Sequence, residues 1–351
     1  MDKLKCRINI STIKGEGHIS QIITGFLMLK EQEIIDLEIN RSHNHPFTGI
    51  VEVVVNDKIN VLYDMADGYI FDVGEVQAFA RRTAFYFKRS YNKEYNNRYD
   101  FGSRIYPLGL NYHVTMKNNI LDKPVEANIA HRLKWYIKEL LGINDSRHFY
   151  VDKFEDTPKP GSSSPKILFT TRTWSGEGER LNPEETKDMD DMRAECIRKL
   201  RREFGDRFVG GFSTREYAKR NYADCLLDAS VTSRINFMSL VKSSDICIST
   251  MGLWESNGWK LGEYVAASKA IVSERLRYAV PGDFKPQQNY LAFANADECV
   301  EQTVKLASDK DLMYAMKENN YYYYKNFLRP DKLVLHSLLT VLEKEAIIQS
   351  S

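Results

Sequence analysis

A proline- and serine-rich stretch at residues 156–165 divides this chain into two halves. Its sequence is Asp-Thr-Pro-Lys-Pro-Gly-Ser-Ser-Ser-Pro, a composition that sustains neither a helix nor a strand. We therefore predict a linker at 156–165 between an N-terminal domain (1–155) and a C-terminal domain (166–327), followed by a C-terminal helix within 328–351. A length of 351 residues suits two domains of ordinary size.

Both halves alternate β-rich runs with helical apolar spacing. Strands are predicted at 7–10, 34–39, 50–55, 59–63, 166–171, 208–209, 245–249 and 270–273, and helices at 19–29, 76–89, 127–141, 183–204, 258–268 and 297–307. Such alternation is typical of parallel sheets with right-handed crossovers. We predict an α/β protein of two Rossmann-like, doubly wound domains that face each other across a cleft. The helix that begins at Pro330 has an apolar face and can cross back to the first domain.

Composition and charge narrow the class of protein. Lys and Arg number 49 and Asp and Glu number 48, so the overall charge favours neither nucleic acid nor a membrane. The five cysteines are scattered without CxxC spacing, which is typical of reduced, mostly buried thiols. No apolar run approaches the roughly 20 residues of a membrane span, and no signal peptide is recognisable. We expect a cytoplasmic protein.

The segment 245–273 carries the strongest functional signal. It is ordered as strand, small-residue loop, helix and strand, and ligands of doubly wound folds bind in the loops that follow strands. Free amides at the start of the helix would attract a diphosphate. The loop residues that we assign to donor binding are Gly252, Ser256, Asn257 and Gly258.

Lys260 and Glu263 are three residues apart, so they share one face of this helix. Lys260 can bind a phosphate, and Glu263, which only accepts hydrogen bonds when ionised, can hold the hydroxyls of a ribose. The alternative is an ordinary solvated ion pair between the two side chains.

The same segment resembles a family signature. Bacterial GT-B glycosyltransferases carry Lys-x-x-Glu-Tyr-x-Ala-x-Gly-Lys-Pro-Val-Val, and a Glu-x7-Glu pattern marks the retaining glycosyltransferase family four and its relatives. Glu255 and Glu263 bracket seven residues, as in that pattern. The matching run in this chain is Lys260-x-x-Glu263-Tyr264-x-Ala266-x-x-Lys269-Ala-Ile-Val.

The resemblance implies a role for each matched residue. Lys260 would contact the donor diphosphate, Glu263 the ribose, and Glu255 the transferred sugar, as a catalytic residue. The chain departs from the family at Ser268 and Ala270, where Gly and Pro are usual, and it lacks the usual Gly-Phe-Gly beside the first Glu. These departures bear on the identity of the sugar more than on the fold.

Arg172 follows the first predicted strand of the second domain. Retaining GT-B enzymes commonly place a basic residue after this strand, and a guanidinium pairs with two phosphate oxygens at once. The alternative is a surface arginine that pairs with nearby acids.

The loop after the first strand carries Lys14, Gly15 and Gly17, and Gly15-x-Gly17-x-x-Ser20 is close to a dinucleotide-binding fingerprint. In a GT-B enzyme this loop lies across the cleft from the donor, where it can approach the diphosphate or the acceptor. The alternatives are a cofactor-binding loop of an NAD(P)-dependent oxidoreductase and a simple tight turn.

Asp64 and Asp67 end a predicted strand, where their carboxylates could contact an acceptor hydroxyl, and we name Asp64 as a second catalytic candidate. A capping role in a turn beside Gly68 is the alternative.

The basic and aromatic stretch 79–93, predicted to be helical, could rest on anionic lipid. A partly buried helix with a basic edge is equally compatible with that pattern.

These observations predict a glycosyltransferase that moves a hexose from a nucleotide-sugar donor to a glycan or lipid-linked glycan acceptor. The resemblance implies retention of configuration, independence of metal and cofactor, and a place in the synthesis of lipopolysaccharide, capsule or exopolysaccharide, with peripheral contact at the cytoplasmic face of the inner membrane. No nucleic-acid partner is expected. The alternatives are a nucleotide-sugar epimerase, an NAD(P)-dependent oxidoreductase, and a non-catalytic GT-B subunit. The donor base, sugar, acceptor, linkage and oligomeric state stay open.

Overall fold

The computed structural model describes residues 3–11, 16–42, 49–69, 78, 80–122, 129–141, 145–175 and 182–350. Its strands are β1 (Leu4–Ser11), β2 (Ile35–Ser42), β3 (Ile50–Val55), β4 (Ile59–Asp64), β5 (Phe85–Lys88), β6 (Ile105–Pro107), β7 (Ile167–Thr171), β8 (Phe208–Phe212), β9 (Ile246–Ser249), β10 (Ala270–Glu274) and β11 (Leu291–Phe293). They form a six-stranded sheet in the order β2-β1-β3-β4-β5-β6 and a five-stranded sheet in the order β11-β10-β9-β7-β8. The predicted α/β architecture of two sheets is confirmed.

The α-helices cover much of the described chain. They are α1 (Glu16–Glu31), α2 (Lys93–Asn96), α3 (Ile129–Leu140), α4 (Val151–Phe154), α5 (Pro183–Phe204), α6 (Glu216–Asn221), α7 (Ala229–Thr232), α8 (Arg234–Ser243), α9 (Trp259–Ala266), α10 (Ala296–Ser308), α11 (Lys310–Tyr323) and α12 (Pro330–Ser350). Within the described ranges, no helix has the length and apolar character needed to cross a membrane.

The first sheet departs from a fully parallel arrangement at β3, which runs antiparallel to β1 and to β4. Three residues, Asn56 to Lys58, connect β3 to β4. Asn56 and Asp57 have φ angles of 51° and 59°, and the Lys58 amide donates to the Val55 carbonyl at 3.1 Å. A turn this short permits only an antiparallel hairpin, because a parallel crossover needs a dozen or more residues.

The prediction of a helix over 76–89 is wrong at its end, because Phe85–Lys88 forms strand β5 between β4 and β6. All four residues are buried. A strand covered on both faces has aromatic or apolar side chains at successive positions, so its sequence shows no alternation that would distinguish it from a buried helix.

The second sheet is parallel throughout the described strands, and its order places β7 between β8 and β9. The chain therefore proceeds from β7 to one side of the sheet through β8, and then returns to the other side through β9. Loops on either side of such a reversal diverge and leave a crevice at the carboxyl ends of the strands. Here that crevice lies beyond β7 and β9.

The C-terminal helix α12 crosses back and packs on α1 of the first half, as predicted. Leu333, Val334 and Leu338 are buried in the same hydrophobic core as β1, β3 and α1. Gly25 allows the close approach, because a Cβ atom at this position would lie 2.2 Å from the carbonyl oxygen of Pro330. The two helices are therefore held together by a contact that only glycine permits.

Gly25→Ala should lower the free energy of unfolding by about 1–3 kcal/mol, the usual cost of overpacking a core, because α1 and α12 must separate. Denaturant unfolding followed by circular dichroism measures this change. Lys30→Ala on the exposed side of α1 is the matched control, with an expected change within about 0.5 kcal/mol. Equal stability of the two variants would show that the helices adjust to the added methyl group without cost.

Candidate functional site

A cavity of about 600 Å³ opens between the two halves, at the carboxyl ends of β7 and β9. The second half supplies most of its wall through the loops that follow these strands and through the start of α9. The first half contributes His18, Asp67 and Arg89. The cavity therefore lies at the crevice that the strand order creates.

Arg89 joins the two halves beside this cavity. The side chain is 2% exposed, and its Nη2 donates to the Asn257 carbonyl of the second half at 2.6 Å. Its Nη1 donates to Asp67 Oδ1 at 2.7 Å. Nearby, Gly68 has a φ of 54°, and a Cβ atom there would lie 2.6 Å from the Cβ of Trp254. The halves are thus in direct contact at one side of the cavity.

Lys260 is the second residue of α9, and its side chain reaches back to β7. Its Nζ donates to the Thr170 carbonyl, and to Thr170 Oγ1 at 3.0 Å. Desolvation lowers the pKa of Lys260 to about 7; Glu263 opposes this shift, and Arg193, Arg172 and Arg234 add to it. A bound anion would raise the pKa again, so the charge of Lys260 responds to what the cavity holds.

Glu263 lies on the same wall but pairs with a different cation. Its Oε1 accepts from Arg234 Nη1 at 2.8 Å, and its side chain is almost fully buried. The guanidinium of Arg234 lies 4.6 Å from the ring centre of Phe154, while its Nε and Nη2 are buried without a hydrogen-bond partner in the described chain. Lys260 and Glu263 therefore do not form a solvated pair on an ordinary helix.

The loop after β9 has an unusual backbone. Trp254 and Glu255 have φ angles of 52° and 55°, a region that costs non-glycine residues of the order of 1–3 kcal/mol each. The Gly252 amide donates to the Ser256 carbonyl at 2.8 Å and so closes the loop around these two residues. Glu255 lies outside the cavity wall, where its exposed carboxylate is 3.2 Å from the guanidinium of Arg277.

Asn257 and Gly258 join this loop to α9. Asn257 is buried, and its Nδ2 donates to the Tyr278 carbonyl at 3.3 Å. Gly258 occupies the N-cap position of α9 and makes no side-chain capping bond. Because Gly258 and Trp259 both line the cavity, the uncapped first turn of α9 adjoins the cavity.

Arg172 lies in the cavity wall directly after β7, as the sequence predicts for this position. Its guanidinium stacks over the ring of Trp174 at 3.7 Å. A stacked guanidinium keeps its in-plane N–H groups available for an anion.

Arg193, which sequence reasoning missed, ties the loops after β7 and β9 together. This buried side chain of α5 donates to the Arg172 carbonyl at 3.0 Å, to Thr250 Oγ1 at 3.0 Å and to the Met251 carbonyl at 2.6 Å. Its Nη1 is 3.7 Å from Asp190 Oδ1. The available sequence signal was an Asp and an Arg three residues apart on the apolar face of a helix.

The structure places Asp64 behind the cavity wall and Asp67 in it. Asp64 is 1% exposed, and it accepts from Tyr86 Oη at 2.5 Å and Lys88 Nζ at 2.7 Å. The expectation that Asp64 faces the cleft is therefore corrected, because the Lys88 ammonium of the neighbouring strand draws its carboxylate into the sheet. Asp67 is the acid that this strand end presents to the cavity.

Of the predicted N-terminal loop residues, Lys14 and Gly15 lie outside the described residues. Gly17 lies in the first turn of α1, where a Cβ atom would be 3.2 Å from the Trp259 ring. The His18 ring meets the Trp259 ring edge-on at 5.0 Å between centres. Burial lowers the pKa of His18, and Asp67 partly opposes the shift, so the imidazole is neutral at physiological pH.

The chain resembles several known proteins in structure. No protein-family model matches the chain, and no curated protein matches it in sequence. A glycosyltransferase from Rickettsia africae resembles it in structure with a TM-score of 0.48 and 13% identity, over 98% of this chain and 99% of that one. A UDP-N-acetylglucosamine 2-epimerase described from Listeria monocytogenes gives a TM-score of 0.41 and 9% identity, over 100% and 98% of the two chains.

The TarM protein of S. aureus, in a structure with UDP, fondaparinux and α-GlcNAc-glycerol, gives a TM-score of 0.40 and 9% identity over 78% of this chain. The match spans about half (48%) of the TarM chain. None of these three similarities reaches a level from which a shared function follows.

Arg193→Met should lower the free energy of unfolding by about 3–5 kcal/mol, because Asp190 is left buried without its cation. Arg198→Met is the matched control on the same helix: Arg198 pairs with Asp224 at 2.6 Å on the surface, where such a pair contributes about 0–1 kcal/mol. Chemical denaturation of both variants measures the difference. A loss of less than about 1 kcal/mol for Arg193→Met would contradict its role in holding the two loops.

Proposed function

We propose that this chain is a glycosyltransferase that binds the diphosphate of a nucleotide-sugar donor in the cavity between its two halves. The observation that carries the proposal is the charge of the cavity wall. Among the described residues, the side chains that line it include five cations, Arg89, Arg172, Arg193, Arg234 and Lys260, and two carboxylates, Asp67 and Glu263. A polyanionic ligand balances this excess of positive charge.

The placement of the cations supports a diphosphate in particular. Arg89 and Arg234 are paired with the two carboxylates, and Arg193 is bonded to the backbone. Lys260 and Arg172 line the cavity at the starts of two neighbouring segments, α9 and the loop after β7, and the uncapped first turn of α9 adjoins the same cavity. Two cations and a helix N-terminus together provide donors for two adjacent phosphoryl groups.

Glu263 has the properties that a ribose site needs. A buried carboxylate can accept from Arg234 and still accept from a ribose diol, because its two oxygens offer about four acceptor positions. The pairing with Arg234 also compensates the negative charge of the carboxylate inside the wall. This arrangement supports the roles that the signature residues have in retaining GT-B enzymes.

The finer assignment rests on the same signature. We infer a retaining hexosyltransferase that acts without a metal, because the cations of the wall can neutralise the departing diphosphate. Asp67 lies across the cavity from the second half, where it could contact the hydroxyl of a glycan or lipid-linked glycan acceptor. Synthesis of a surface polysaccharide such as lipopolysaccharide, capsule or exopolysaccharide fits this chemistry.

Thermal unfolding with a panel of nucleoside diphosphates, with NAD as the comparison ligand, tests the proposal. A matching diphosphate at a hundred times its dissociation constant should stabilise the protein by about 2.7 kcal/mol. Stabilisation by NAD alone would indicate an oxidoreductase. Conversion of a nucleotide sugar in the absence of an acceptor would indicate an epimerase, and binding without any turnover would indicate a non-catalytic subunit.

Lys260→Met should weaken binding of the matching nucleoside diphosphate by about 1.5–3 kcal/mol, the contribution of a charged hydrogen bond. The wild type should also take up a proton on binding at about pH 8. The pKa of Lys260 is about 7 in the structure, so the amine is mostly neutral at that pH, and the diphosphate raises its pKa. Calorimetry in buffers of different ionisation enthalpy measures the uptake. Proton uptake that persists in Lys260→Met would assign it to another group.

Glu255→Gln should leave the affinity for nucleoside diphosphate within about twofold and lower sugar transfer roughly a hundredfold, if Glu255 orients the transferred sugar. Its carboxylate meets Arg277 outside the wall, so the loop has to turn inward for this role. Arg277→Gln is the control, since it removes the same pair and retains the acid. Equal turnover in Glu255→Gln and wild type would end the catalytic assignment.

A further inference from the structure

Helix α3 presents an apolar face to solvent. Its 12 residues include large apolar side chains at positions that recur with helical spacing, so they form one continuous stripe. These side chains and their exposed fractions are Ile129 (84%), Leu133 (58%), Tyr136 (54%), Ile137 (48%) and Leu140 (88%), and Leu141 extends the stripe at 64%. An exposed apolar stripe of this length indicates an interaction surface.

The rest of the described chain does not cover this stripe. No described helix or strand packs extensively along α3. By contrast, α12 also carries an apolar stripe, but its Leu333, Val334 and Leu338 are buried against the first half. The apolar face of α3 is therefore not part of the hydrophobic cores that the described residues form.

The charges beside the stripe identify the chemistry of a partner. Arg132 and Lys134 lie on either side of Leu133 and flank the stripe on its two edges, and both are exposed. Lys138 follows one turn after Lys134, and the helix sequence holds a single carboxylate, Glu139. The partner must accept apolar side chains and offer negative charge at the edges of the contact.

A second copy of the chain fits these requirements poorly, because it would bring the same cations to the same edges. A bilayer with anionic headgroups satisfies both, since the apolar side chains enter the acyl boundary and the cations meet the phosphates. We propose that helix α3 docks this protein on an anionic membrane surface, lying in the plane of the interface.

Helix α3 belongs to the first half of the chain, and residues that follow it in sequence lie near the cavity wall. The segment that follows α3 is paired with the first half, where the Thr115 amide donates to the Phe149 carbonyl at 2.7 Å. The Phe149 ring lies 4.9 Å from the guanidinium of Arg234, which lines the cavity. Given the proposed function, a docked α3 suits a lipid-linked acceptor, because enzyme and acceptor then share one membrane surface.

The stretch 79–93, which its sequence suggested as a lipid contact, is unsuited to that role. Phe85, Tyr86 and Phe87 are buried in strand β5, so their rings are not available to a bilayer. The basic residues Lys88 and Arg89 are buried as well, in pairs with Asp64 and Asp67.

Co-sedimentation with vesicles tests the docking without any nucleotide or sugar, so its outcome is separate from that of the proposed function. The full chain is mixed with vesicles of phosphatidylcholine, or of phosphatidylcholine with phosphatidylglycerol. We expect binding to the anionic vesicles that weakens with salt, and little binding to the neutral ones. Leu133→Ser with Ile137→Ser should lower the partition coefficient at least tenfold, and Arg132→Glu with Lys134→Glu should do the same.

Leu339→Ser is the matched control, because Leu339 is an exposed leucine (44%) on α12. It should bind vesicles like the wild type. Circular dichroism verifies that each variant is folded. The proposal is overturned if the wild type does not bind anionic vesicles, or if the α3 variants bind them as strongly as the wild type does. It is also overturned if sedimentation shows that the wild type self-associates through α3 and that the serine variants are monomers without vesicle binding.

Discussion

The buried guanidinium of Arg193 holds the site together. It bonds to the backbone after β7 and to two residues after β9, so the two loops that diverge at the reversal of strand order are fixed to one side chain. Backbone carbonyls and a hydroxyl replace water around this cation, and Asp190 balances its charge. The positions of Arg172, Thr250 and the whole strained loop to Ser256 depend on this anchor, which itself need not touch a ligand.

The spacing of residues within one segment was enough to predict which of its side chains lie together in the cavity wall. Lys260 and Glu263 are three residues apart on a helix that follows a strand, and this spacing alone places both on one face. The position of Arg172 in the wall could be predicted in a similar way, because Arg172 comes directly after strand β7. The reversal of strand order brings these two segments together, and alternation of strands and helices indicates such an order.

The rest of the site depends on contacts that sequence spacing does not contain. Arg234 bonds to Glu263, which is 29 residues away in sequence, and Arg89 bonds to Asn257, which is 168 residues away. The sequence does not distinguish Asp64 from Asp67 as the residue that faces the cavity. The difference arises from Lys88 on the neighbouring strand, which binds the Asp64 carboxylate. The same holds for Phe85–Lys88, where burial on both faces of a sheet removes the periodicity that identifies a strand.

The charges of the cavity also explain why Lys260, rather than an arginine, suits its position. Arg172, Arg193 and Arg234 lie around Lys260, and each of them lowers the pKa of Lys260. Only an amine can release its proton to relieve this repulsion, because a guanidinium remains charged. A diphosphate would reverse the local potential and restore the ammonium charge. Lys260 then gains attraction to the ligand at the moment when the ligand brings its negative charge, and the cavity avoids a permanent cluster of unbalanced cations.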